Sequence, residues 1–241
     1  MQTGRDLHHL AGFHEPFSAI SHLLGAALFV VLGIILLRRG RGRATRLAFL
    51  AIYAASCVLL LSMSGVYHMM VRGGTAREVL ARLDHGAIFI LIAGTFTPVH
   101  GILFRGVWRW GVLAFIWGAA VFGIVFKTIY FHDLPEWVGL GAYIAMGWCG
   151  TVSAALFARM YGLRLLRPLI WGGLAYTVGG LADLFRWPTV IPRVMDSHDV
   201  FHIAVLIGAI CHWRFIMSFA AGPPPRRADA PDPLEPAPPV A

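Results

Sequence analysis

Seven apolar stretches, each near the length that crosses a lipid bilayer, constrain this chain more than any other feature. They run over Phe17–Leu37, Leu47–Tyr67, His85–Phe104, Val107–Phe126, Val138–Ala158, Pro168–Ala182 and Val200–Phe219. A membrane span takes about 20 mainly apolar residues. A soluble core in a chain of 241 residues has no use for seven runs of that length. The sixth is shorter and rich in glycine (Gly172, Gly173, Gly179, Gly180). Charged residues make up 13% of the chain, about half the ~25% of soluble domains. The expected fold is therefore all-α, an integral membrane bundle of seven transmembrane helices over residues 17–220. A polar segment, 1–16, precedes it. A Pro-rich tail, 221–241, follows and is expected to be disordered. Val71–Asp84 is the longest of the well-defined loops.

The remaining composition narrows the function. The first sixteen residues carry Arg5, Asp6 and Glu15 and show no signal-peptide pattern, so the first span is expected to stay as an anchor. Cys57, Cys149 and Cys211 fall one to a span and lack a CxxC spacing, which reads as packing rather than disulfide or metal chemistry. The net charge of +8 raises the possibility of nucleic acid. No nucleic-acid motif accompanies it, and arginines in short loops serve topology and headgroup contact. The expected partners are membrane lipids, not nucleic acid; the oligomeric state is left open.

Seven spans put the termini on opposite sides. The N-terminal side holds seven basic residues and the other side thirteen, counted over all 20. The positive-inside rule alone would place the N-terminus outside. Trp108, Trp110, Trp137 and Trp187 sit near span ends, where amphipathic rings prefer to lie.

Four residues at span ends are the candidates for chemistry. His68 closes the second span (SGVYH), Asp84 opens the third (RLDHG), and His198 and His202 open the seventh (SHDVFH). The alternation of spans brings all four to the N-terminal side. Residues i and i+4 share a helix face, about 6 Å apart along the axis. Three neutral imidazoles plus water would make a zinc site with one open position. Asp84 would hold and deprotonate that water. Ser64, one turn before His68, would position it. A plainer reading also stands: histidines anchoring in headgroups, Asp84 capping its helix, and Ser64 bonded within its own helix. His22 and Glu15 are candidates for supporting the site, with an interfacial carboxylate the favoured reading of Glu15. Asp183 is expected to pair with Arg186 in a structural role. His85 is expected to point elsewhere and His212 to bond a neighbouring helix. His100 and His132 are expected to be solvated.

These segments resemble the hemolysin III family, bacterial relatives of the progestin and adipoQ receptors and of alkaline ceramidases. The matching pieces are EPFSAISHLLG, SGVYH, LDHGAIFILIAGTFTPV, GIVFK, AYIAMGW and HDVFHIAVLIGAICH, from position 15 to 212. The resemblance implies a seven-helix protein of the bacterial inner membrane with a cytoplasmic N-terminus, against the arginine count. It implies Zn2+ held by His68, His198 and His202, with Asp84 acting through bound water and Ser64 nearby. The expected activity is metal-dependent hydrolysis of a lipid amide or ester, its substrate lying in the bundle cavity. The alternatives are a non-enzymatic membrane sensor or fluidity regulator with structural zinc, and cytolysis. The spans lack the polar stripe that a water-filled pore needs.

Overall fold

The computed structural model describes residues 15–191 and 195–227. The expected polar segment thus lies almost wholly outside the described residues, as do His8, His9, His14, Arg193 and most of the tail. Eight helices follow one another: α1 (Pro16–Arg39), α2 (Ala44–Met69), α3 (Thr75–Leu103), α4 (Gly106–Ile129), α5 (Glu136–Trp148), α6 (Thr151–Tyr161), α7 (Leu163–Leu184) and α8 (Ser197–Met217). α5 and α6 are the two halves of the expected fifth span, so the architecture is seven helical rods with no strand among the described residues. The break falls at Cys149 and Gly150, where the Thr151 hydroxyl donates to the Trp148 carbonyl at 2.9 Å. Glycines and side chains that bond the backbone are ordinary causes of such breaks. Cys149, expected inside a packed span, is exposed at this break.

Six of the rods are long and apolar enough to cross a membrane, α5 and α6 counting as one; α7 is the exception. α3 is the hub: 78% of its apolar stretch is buried, against 17–39% in the others. α4 buries only Leu113, Ile116 and Ala120 and leaves Phe115, Val121 and Phe122 bare. Such a face would be an aggregation hazard in water and is at home in lipid.

Interhelical hydrogen bonds tie the rods where lipid offers no partner. The Tyr53 hydroxyl donates from α2 to the Ala209 carbonyl of α8 at 3.2 Å. Trp213 Nε1 donates from α8 to Leu32 of α1 at 3.1 Å. Trp117 Nε1 donates from α4 to Thr97 of α3 at 3.1 Å. Between α7 and α8 the approach is closest at Gly172, where an added Cβ would stand 3.0 Å from the Gly208 carbonyl oxygen and nearer still to the His212 ring. Backbone cannot yield as a side chain can. Gly172→Ala is expected to lower stability by about 1–3 kcal/mol, the usual cost of overpacking, read as a lower unfolding temperature in detergent.

Two loop expectations need correction. The second loop is short, because α3 begins at Thr75 rather than His85. Apart from Thr75 and Val79, TAREVLARL is made of good helix formers, and its charges hide it from a hydropathy count. Asp84 therefore sits inside α3, well past its first turn, and does not cap it. The arginine-rich first loop is also more than a topology signal. Gly42 takes φ 107°, a conformation glycine adopts freely. The turn lets Arg46 donate to the carbonyls of Gly40, Arg41 and Ala221 at 2.9, 2.6 and 2.6 Å.

Candidate metal centre

The start of α8 is aimed by its own cap. Asp196 accepts from the His198 amide at 2.9 Å, and Asp199 accepts in return from the Asp196 amide at 3.1 Å. This reciprocal box satisfies amides that a helix start leaves unpaired. Asp199 also accepts from the Ser18 hydroxyl at 2.6 Å, which pins α1 to α8. The cap thus sets the direction in which His198 and His202, one turn apart, leave the helix.

His68, from the last turn of α2, meets them. Its Nε2 lies 3.3 Å from His198 Nε2, and His202 Nε2 lies 3.1 Å from the same atom. One ligand atom from each of the three residues falls within 4.8 Å of the others. The tautomers make this convergence informative. His68 Nδ1 is bonded to Glu15, and His198 Nδ1 lies 3.1 Å from an Asp183 oxygen. A carboxylate accepts, so each Nδ1 carries the hydrogen and each Nε2 of a neutral ring is a bare lone pair. Two lone pairs facing at 3.3 Å repel unless a cation draws them together. Carboxylates behind histidine are the usual outer support of a metal ligand. The three histidines can therefore hold a metal ion.

Glu15 is the second fixed point. It is buried, correcting the expectation of an interfacial carboxylate. Its side chain takes His68 Nδ1, Arg77 at 3.0 Å and Arg72 at 3.2 Å. Its amide donates to the His68 carbonyl at 3.1 Å. Burial alone would raise its pKa, but the His68 hydrogen bond and the Arg77 charge outweigh this and hold it well below the usual carboxylate range. Arg77 also donates to the Met70 carbonyl and lies 4.6 Å over the Tyr67 ring. One carboxylate thereby joins the ends of α1, α2 and α3.

The other expected residues fall as follows. Asp84 and Ser64 line the same cavity as the three histidines. His22 is buried and stacks on His202, ring centroids 3.8 Å apart and planes 17° apart. Asp183, expected beside Arg186, supports His198, while Arg186 lies 3.8 Å from Glu136. His85 donates Nδ1 to the Ala81 carbonyl of its own helix at 2.8 Å. His100, expected to be solvated, is fully buried. Sequence reasoning leaves out Ser18 and Asp199. A signal was present: DSHD is a capping-box spacing, and Ser18 precedes His22 by one turn of the same face.

The cavity over the histidines has a volume of about 250 Å³. A second, almost wholly apolar cavity of about 260 Å³ lies deeper among α3, α5, α6, α7 and α8. Leu60, Ile88, Leu140, Tyr143, Phe201 and Val205 line both. The polar and apolar chambers thus adjoin, with these side chains between them. Each is close to the ~300 Å³ at which ligand pockets begin.

A bundle of apolar rods with a histidine cluster at one end, His68 and His202 buried and His198 half-buried, defines an integral membrane protein with a candidate metal centre. The chain belongs to the Haemolysin-III related family, whose model matches residues 11–213. It is 33% identical over 200 residues to "Hemolysin-3" of Bacillus cereus, covering 81% of this chain and 86% of that one. It is 29% identical over 198 residues to the "Hemolysin-3 homolog" of Bacillus subtilis (strain 168), covering 81% and 89%. Similarity reaches plants: 26% over 235 residues to "Heptahelical transmembrane protein 1" of Arabidopsis thaliana, covering 86% and 70%.

Proposed function

We propose that this protein is a zinc-dependent hydrolase of a membrane-lipid amide or ester. The observation that carries the reading is the pair of Nε2 lone pairs, from His68 and His198, turned toward each other at 3.3 Å by carboxylates behind them. Zinc fits the donor set. Nitrogens on one tetrahedral zinc, at about 2.0–2.1 Å from it, lie about 3.3–3.4 Å apart; two of the three separations here are 3.3 and 3.1 Å, and all three ligand atoms fall within 4.8 Å of one another. When bound, zinc supplies Lewis acidity and lowers the pKa of a water toward neutrality.

The chain's own residues do the rest. His68, His198 and His202 are the ligands. Asp84 takes a proton from the attacking water and returns it to the leaving amine or alcohol. Ser64, which lines the same cavity, positions the water or the carboxyl. The apolar chamber takes the acyl chain, and its walls exclude water from the carbonyl end. The expected result with purified protein and long-chain lipid amides and esters is release of free fatty acid, seen by mass spectrometry and abolished by a zinc chelator. No release from any of them, with zinc bound, would contradict the reading.

A second reading has one observation in its favour. The ligands come from α2 and α8, so a metal there would staple the second and the last of the seven rods together. On that reading zinc is structural and the protein a membrane sensor.

A further inference from the structure

The apolar chamber holds a buried polar point, His100, that the proposed chemistry does not use. His100 lines it from the last turn of α3. At roughly 1.5 Å per residue, it lies about 24 Å along that helix from Asp84. The side chain is fully buried. Its ring is stacked between Phe96 and Phe104, with planes 8° and 21° away and centroids at 5.8 and 4.9 Å.

Its tautomer is fixed. Nδ1 lies 2.6 Å from the Trp108 carbonyl oxygen. A carbonyl only accepts, so Nδ1 carries the hydrogen, and Nε2 of the neutral ring is an acceptor. That Nε2 is buried without a hydrogen-bond partner among the described residues. Orphaned buried acceptors are costly, and native structures seldom leave them so. Only a donor can satisfy this one.

Several of the chamber's other donors are already spent, the Tyr143 hydroxyl on the His85 carbonyl and the Thr177 hydroxyl on the Gly173 carbonyl. The Thr95 hydroxyl is spent on the Leu91 carbonyl at 2.8 Å. His212, which enters the chamber from α8, makes no well-aligned hydrogen bond through either nitrogen, the Leu169 carbonyl being a polar neighbour. A water beside His100 would need two to four polar partners, and the apolar wall offers few.

We propose that the chamber is built for a lipid chain bearing a hydroxyl toward its distal end, whose O–H donates to His100 Nε2. This rests on the reading of the chamber as an acyl-chain site and adds the chemistry of the chain's far end. A chain lying with its carbonyl at the histidine cluster would bring that hydroxyl to His100. A plain methyl terminus would leave the nitrogen unsatisfied.

The test is displacement of a fluorescent fatty acid, dansylundecanoate, from the full chain in detergent. The competitors are palmitate and ω-hydroxypalmitate. The expected result is displacement by ω-hydroxypalmitate at roughly tenfold lower concentration, the factor that one good hydrogen bond gives. His100→Phe keeps the aromatic stack and removes the acceptor, so the preference should vanish or reverse in favour of palmitate. Equal displacement by the two on wild type would overturn the proposal, as would an undiminished preference for ω-hydroxypalmitate in a folded His100→Phe variant. Failure of palmitate and ω-hydroxypalmitate alike to displace the probe would overturn the acyl-chain reading itself, and this proposal with it. The wild-type comparison stands even if the variant fails to fold.

Discussion

Asp84→Asn will keep its metal and lose lipid turnover by roughly 10²–10⁴-fold, the usual contribution of a positioned general base. The substitution is close to isosteric. The amide keeps a polar group beside Ser64, which lines the same cavity. What it cannot do is accept a proton. None of the proposed ligands is touched, since these are His68, His198 and His202. Zinc content and unfolding temperature should therefore match wild type while product release falls. Turnover at the wild-type rate would remove Asp84 from the chemistry. Loss of zinc along with turnover would recast it as a holder of the metal.

Glu15→Ala will cost about 3–5 kcal/mol of stability, the range for stripping one partner from a buried ion pair. Glu15 is 9% exposed and Arg77 10%, so the charge left behind has little access to water. The same change takes the acceptor from His68 Nδ1 and frees that ring to turn or change tautomer. Loss of such an outer partner weakens metal binding about 10–100-fold. Glu15→Gln keeps an acceptor but not the charge and should fall between. The measurements are thermal unfolding in detergent and zinc retention against a graded chelator. A Glu15→Ala variant as stable as wild type would mean that Arg77 finds another partner, which the burial of this corner argues against. Stability lost with zinc affinity unchanged would restrict Glu15 to the fold.

The rods were legible because a span declares itself by length and apolarity, which need no partner to interpret. Their ends were less so. α3 runs ten residues earlier than hydropathy allows, because Arg77, Glu78 and Arg82 interrupt an apolar count without interrupting a helix. The break inside the fifth span is a local backbone event that leaves the hydropathy of its two halves unchanged. The histidine cluster was legible through the i, i+4 spacing of His198 and His202 and the alternation of spans. Its support was not. Glu15 and Asp183 act across helices, on His68 and His198, and no local pattern says which imidazole a distant carboxylate will meet. His100 was misread for the related reason that proximity to a span end says little about burial when the next helix folds back over it.

Metal content tests the central claim most directly: inductively coupled plasma mass spectrometry on protein purified in detergent, wild type beside His198→Ala/His202→Ala. The account predicts about one zinc per wild-type chain, the occupancy of a single three-histidine site, and almost none in the double variant. Wild type purified without a metal, or a double variant that retains its full share, would contradict it.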